Sequence, residues 1–250
     1  MNDTIASEWL KLRTVRSTRG LLAAAAAPLV PGTAVAMAMV ADWDRASPAD
    51  RAAFGGADPT PVVVPFAMFC LAALGVLAIT SEYGTGMISA SLTAVPRRRA
   101  LLAAKAVVVA AVTVTAGEAV AFASLLAGRL VTGDRPAPIG TTVTVTEAAC
   151  TGPAMMVAAL AGLGLGTLLR STAGALVAVA APLFVLPGIA AFLPPGWSEH
   201  VSAVLPPDLP AELAGSPGAT LPPPAAAAVL IAYAAAALTA AGWALARRDH

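Results

Sequence analysis

The chain has 250 residues, 58% of them hydrophobic and 12% charged, with a mean hydropathy of +0.79. Soluble domains run at about 45–50% apolar, so the polar residues are too few to cover a soluble globule and the composition requires an integral membrane protein. A net charge of +1 excludes the basic face of a nucleic-acid binder, and Cys70 and Cys150, both in or beside apolar segments, exclude a disulfide framework or a metal knuckle.

Residues 1–19 precede the first apolar run. Ile5, Trp9 and Leu12 share a face at helical spacing, with Lys11, Arg13 and Arg16 around it. That spacing predicts an interfacial helix anchored by Trp9 along the headgroups. A plain basic flank is the alternative; a cleavable leader fits poorly, because its apolar region would be too long. The first span, 20–41, carries Pro28 and Pro31 and is expected to kink.

The second span covers 61–80 and is followed by Ser81–Arg99. There Gly84 and Gly86 permit a turn, Met87, Ile88 and Leu92 give a short, partly apolar helix, and Pro96 ends it. Arg97, Arg98 and Arg99 then pin the start of the third span against anionic headgroups. Two readings of the loop helix stay open: docking in a groove of a soluble partner, or an interfacial helix with no partner.

The third span, 102–127, holds Glu118, the one acid well inside a run. A central carboxylate costs about 3 kcal/mol on insertion scales, which the aliphatic residues around it offset. Glu118 is therefore expected to face the protein interior, either as a substrate-path or proton-linked group or as a hydrogen-bonded packing residue. In the fourth span, 147–169, Gly162 and Gly166 make a small-residue packing face. Arg170, Ser171 and Thr172 form a tight turn into the fifth span, 173–193. Nine of the 21 prolines then crowd between Pro194 and Pro224, interleaved with Trp197, Val201, Leu205, Leu209 and Leu213. Short helices dipping into the interface and a disordered spacer are both open for this stretch. The sixth span is 223–246. The reading is all-α, a single six-span domain over residues 1–250.

Orientation follows from the basic residues. With the N-terminus in the cytoplasm, Lys11, Arg13, Arg16, Arg19, Arg97, Arg98, Arg99, Lys105, Arg170, Arg247 and Arg248 lie inside, 11 of the 15. Asp42, Asp44, Asp50, Asp58, Asp134, Glu199, Asp208 and Glu212 all fall outside. Both termini are therefore expected in the cytoplasm.

No loop has room for a catalytic domain of ordinary size. Neither lysine sits in a phosphate-binding GxxxxGK[ST] loop. The only histidines are His200, in a loop, and His250, at the terminus, so no span offers one to a protease or metal site. The chain is read as non-catalytic and without a cofactor or metal.

Three stretches carry a resemblance. Glu8-Trp9-Leu10-Lys11-Leu12-Arg13 resembles the start of bacterial ABC transporter permeases of the type-2 exporter class. Thr80-Ser81-Glu82-Tyr83-Gly84-Thr85-Gly86-Met87, with Leu92-Thr93-Ala94-Val95-Pro96-Arg97, is similar to that family's first cytoplasmic loop. Gly166-Thr167-Leu168-Leu169-Arg170-Ser171-Thr172-Ala173-Gly174-Ala175 is similar to its second. The resemblance implies a plasma-membrane permease subunit paired with a second permease copy and driven by soluble P-loop ATPase subunits, which alone would hold ATP and Mg. It also implies a coupling helix at 82–93 and an elbow helix at the N-terminus. Glu118 is not carried over. A proton-coupled carrier using Glu118 and a non-transporting anchor are the competing expectations.

Overall fold

Long runs of Ala, Val and Leu leave the backbone no partner but itself in an apolar medium, and here they fold as helices. The computed structural model describes residues 2–52, 56–84, 87, 98–135 and 143–247, with no strand among them. In chain order the helices are α1 (Asn2–Thr14), α2 (Arg16–Ala26), α3 (Leu29–Arg45), α4 (Pro48–Ala52), α5 (Thr60–Gly84) and α6 (Arg98–Thr132). There follow α7 (Val145–Leu169), α8 (Thr172–Ala180), a π-helical turn (Ala181–Val185), α9 (Leu186–Ala190), α10 (Pro195–Ala203), α11 (Leu209–Ala214) and α12 (Pro223–Arg247). Six helical stretches are long and apolar enough to cross a membrane: α2–α3 together, α5, α6, α7, α8–α9 together, and α12.

Several boundaries move from their sequence-based positions. The N-terminal segment is not one helix over 1–19: Val15 is extended (φ −74°, ψ 127°), so α1 stops at Thr14 and α2 already starts the first span. That span is 30 residues long, 16–45 rather than 20–41. It breaks at Ala27–Pro28, where the proline has no N–H to continue the ladder. The second span runs on past 80 to Gly84, so Glu82, Tyr83 and Gly84 occupy its last turn rather than a loop. The third is 35 residues long, about 52 Å at 1.5 Å per residue, well beyond an apolar layer of about 30 Å. In the fifth, Pro182 and Pro187 interrupt the i→i−4 pattern and the chain widens into the π turn between α8 and α9.

The centre of the bundle is the α5–α7 pair. About 61% and 67% of their apolar windows are buried, against 17% for the first and last spans. Glycines permit the approach: a Cβ at Gly75 would overlap the Ala159 carbonyl, and one at Gly162 would overlap the Ala72 carbonyl. Gly166 lies against Ile79, and Gly164 meets Ala237 of α12, so two faces of α7 are kept bare for two neighbours. Met68, Leu71, Val76, Met155, Leu163 and Leu209 are fully buried in this core.

The proline-rich stretch is folded. Ala203 of α10, Leu205 in the turn after it and Leu209 of α11 are buried. Glu212, 6% exposed, accepts the backbone N–H groups of Thr220 (3.2 Å) and Leu221 (2.6 Å). Ser216 Oγ donates to Glu147 Oε2 (2.7 Å), tying the segment to the first turn of α7. That turn is capped by Thr144, whose hydroxyl accepts the Glu147 N–H at 3.0 Å. At the other end of the bundle Ile79, Leu102, Leu163 and Leu245 share one cluster. The last turns of α12 therefore lie at the same end as α1, the end of α5 and the start of α6.

Candidate functional site

Four charged side chains meet at the α1 end. Glu8 and Lys11 come from α1, Glu82 from the last turn of α5, and Lys105 from the second turn of α6. Lys105 Nζ donates to Glu8 Oε2 at 2.6 Å, to Glu82 Oε1 at 2.7 Å and to the Ala78 carbonyl at 3.2 Å. An ammonium has three donors, and all three are used. Lys11 Nζ donates to Glu8 Oε1 at 2.7 Å and to Glu82 Oε1 at 2.9 Å. The four groups thus close a ring of alternating sign with no net charge.

Burial makes the ring demanding. Glu8, Glu82 and Lys105 are 4%, 5% and 2% exposed, whereas the Lys11 side chain keeps about a third of its surface in the open (33%). Isolated charges would cost several kcal/mol each here, and only close, hydrogen-bonded partners offset that. For Lys11, burial alone would depress the ammonium pKa. The hydrogen bonds and charges of Glu8 and Glu82 outweigh it and hold the group above its ordinary value. The ring therefore fastens α1 to the ends of two spans.

Beside the ring is a cavity of about 300 Å³, walled by Leu12, Val15, Leu77, Val108 and Met87, with Glu8, Glu82 and both lysines on one side. A second contact joins the two turns at this end. The Arg170 guanidinium lies over the Tyr83 ring, 5.3 Å from its centroid. Arg170 ends α7 in the left-handed conformation (φ 50°), and Ser171 caps α8 by accepting the Gly174 N–H at 3.3 Å. Thr172 is the first residue of α8.

Of the residues singled out from sequence, the fold joins Tyr83 to Arg170 and puts Glu82 and Met87 on one cavity, while Gly84 ends α5 and Ser171 and Thr172 follow Arg170 into α8. Thr85, Gly86, Ile88, the remainder of the expected 82–93 helix, and Arg97 lie outside the described residues. Arg98 opens α6 and Arg99 is exposed beside it. Trp9 is 48% exposed and sits away from the ring, between α1 and α6. Glu118 is elsewhere, about 20 Å further along α6 than Lys105. It packs on Gly152 of α7, and its Oε2 is buried with no hydrogen-bond partner.

Sequence reasoning missed the roles of Glu8 and Lys105: Lys105 counted only as an orientation charge, and Glu8 only as part of the N-terminal motif. The signal was present. The chain has only two lysines, and Lys105 falls inside an apolar run, where an ammonium needs a carboxylate. Among the described residues no group of three His, Cys, Asp or Glu side chains is placed to hold a metal ion. The chain matches no known family model and no curated protein sequence.

Proposed function

We propose that this six-span membrane protein is the non-catalytic permease subunit of an ATP-driven ABC transporter of the type-2 exporter class. In this reading it sits in a bacterial plasma membrane with both termini in the cytoplasm and pairs with a second permease copy. Soluble P-loop ATPase subunits supply the energy, and ATP and Mg are held there. The loop between α5 and α6, with Glu82 in the helical turn that leads into it, is the coupling element.

One observation carries the reading. The base of that loop is not a free hinge: Glu82 is fastened by Lys105 to α6 and by Lys11 to α1. A push delivered to the loop would move α1, the end of α5 and the start of α6 as one body. The Tyr83–Arg170 contact would pass it to the turn before α8. Discrete, rigidly packed elements of this kind are what carry a displacement between distant sites.

Affinity purification in mild detergent with mass spectrometry tests this. The expected result is a soluble P-loop ATPase at near one-to-one stoichiometry. It should be lost on Met87→Asp, a change at a 49% exposed position beyond the end of α5, while the bundle stays folded. Glu82→Arg is unsuitable as the diagnostic change, because it would put a third cation into a buried ring. Purification of the chain alone, repeated under crosslinking, would overturn the proposal.

A second reading, a proton-coupled carrier, rests on Glu118, whose Oε2 is buried without a hydrogen-bond partner. It predicts proton-driven transport by liposomes holding this chain alone, abolished by Glu118→Gln. No transport without an ATPase counts against it.

A further inference from the structure

We infer that the groove between α1, α2 and α6 is a binding site for one anionic phospholipid of the leaflet at the α1 end. The inference is independent of the transport reading. The groove has a volume of about 460 Å³ and is lined by Trp9, Arg13 and Arg19 together with Leu22, Val112 and Ala116.

Charge argues for the occupant. At this end both nearby acids, Glu8 and Glu82, are taken by the two lysines. Arg13 and Arg19 are exposed, and among the described residues neither has a carboxylate within ion-pair distance. Arg19 Nη2 donates to the Arg13 carbonyl at 3.3 Å, which holds the Arg19 guanidinium against the backbone of Arg13, and both side chains line the groove. Two neighbouring guanidiniums without an acid suit a phosphodiester, which they can grip through paired N–H donors.

The lining argues for a lipid rather than a soluble phosphate. The α6 residues of the groove, Val112, Thr115 and Ala116, cover about 6 Å of the helix, room for the first part of an acyl chain beside a headgroup. Leu12, Leu22, Val112 and Ala116 make the lining mostly apolar, with the hydroxyls of Thr18 and Thr115 among them, and Trp9 on the same wall is a residue type that belongs at headgroup height. A phosphate bound at Arg13 and Arg19 would thus lay one acyl chain along Leu22, Val112 and Ala116. The bound lipid would brace the α1–α2 break at Val15.

Native mass spectrometry of the purified chain tests this, with phosphatidylglycerol and phosphatidylcholine of identical acyl chains added in equal amounts. The expected result is one phosphatidylglycerol retained per chain, about tenfold over phosphatidylcholine. Arg13→Gln with Arg19→Gln should lower that retention to the phosphatidylcholine level. Thr115→Trp, at an exposed position lining the groove, should block the acyl chain and lower both. Arg129→Gln, at the other end of α6, should change nothing. Equal retention of the two lipids, or retention unaffected by the arginine changes, would overturn the assignment. So would a lipid-free homodimer that Thr115→Trp separates into single chains, which would give the groove to a second copy. If the double variant does not fold, thermal shift of the unaltered chain decides. A larger rise in Tm with phosphatidylglycerol than with phosphatidylcholine supports the site, and equal rises refute it.

Discussion

Lys105 Nζ lies 2.6 Å from Glu8 Oε2, across 97 residues of chain, with both side chains almost wholly buried. The contact closes a ring whose members come from three helices. Its energetics differ from those of a surface ion pair, since each partner holds the other's charge out of water. The worth of such a pair lies less in net stability than in what its loss exposes.

Lys105→Met is therefore expected to destabilise the chain by about 3–5 kcal/mol, because Glu8 and Glu82 would be left with Lys11 alone. A lowered Tm in detergent and earlier proteolysis within α1 are the readouts. Lys105→Met combined with Glu82→Gln should cost less than the two single changes added, by about 0.5–3 kcal/mol. Strict additivity would mean the ring is not a unit.

The Asp44–Arg135 pair supplies the contrast. Arg135 Nη2 lies 2.8 Å from Asp44 Oδ2, as short as the buried contacts, but their side chains are 33% and 46% exposed. Solvent screens an exposed pair of this kind, so it adds little to stability. Asp44→Ala should thus change Tm little, and raising the salt concentration should erase even that difference. An Asp44→Ala effect as large as that of Lys105→Met would show that distance, not burial, sets the cost.

Why one of these pairs escapes a reading of the sequence has a physical answer. Spans are legible because the bilayer demands about 20 apolar residues in a row, and every one of the six expected runs corresponds to a long apolar helix. The break at Pro28 is legible because proline acts locally. Helix ends are not, since α6 continues past its apolar stretch and α5 past Thr80, where hydrogen bonds and ion pairs from other helices take over from hydrophobicity. Glu8 and Lys105 became partners only through a fold that sets α1 against α6. The order in residues 194–224 is another case. Nine prolines pointed equally to a spacer, and what settles it is burial of Leu205 and Leu209 with the partners found by Glu212 and Ser216.

Lys11 gives the ring a pH limit. Its pKa in the folded chain is raised above the ordinary value of 10.5. A raised pKa means that the folded state binds the proton more tightly, so the contribution to stability is complete below 10.5 and disappears as pH rises through the folded-state value. The docking of α1 is expected to hold across the physiological range and to fail only in strong alkali. A cysteine placed at Ser7, exposed on α1, would report the release through its labelling pattern. Lys11→Met should remove this alkaline step. A step that survives that change belongs to another group.

The α5–α7 contact yields the sharpest comparison, because similar substitutions meet opposite surroundings. Gly162→Ala would drive a methyl group into the Ala72 carbonyl, and Gly75→Ala into that of Ala159. Backbone cannot yield as a side-chain tip can, so the helices must separate, at a cost of about 1–3 kcal/mol. Gly20, inside α2, has nothing within 4 Å of its would-be Cβ. Gly20→Ala should therefore leave packing intact and stabilise by about 0.4–1 kcal/mol through the unfolded chain. Tm values of the three variants in one detergent, with size-exclusion profiles to confirm that each is folded, decide the matter. A Gly162→Ala variant as stable as Gly20→Ala would mean that α5 and α7 do not approach as closely as this fold requires.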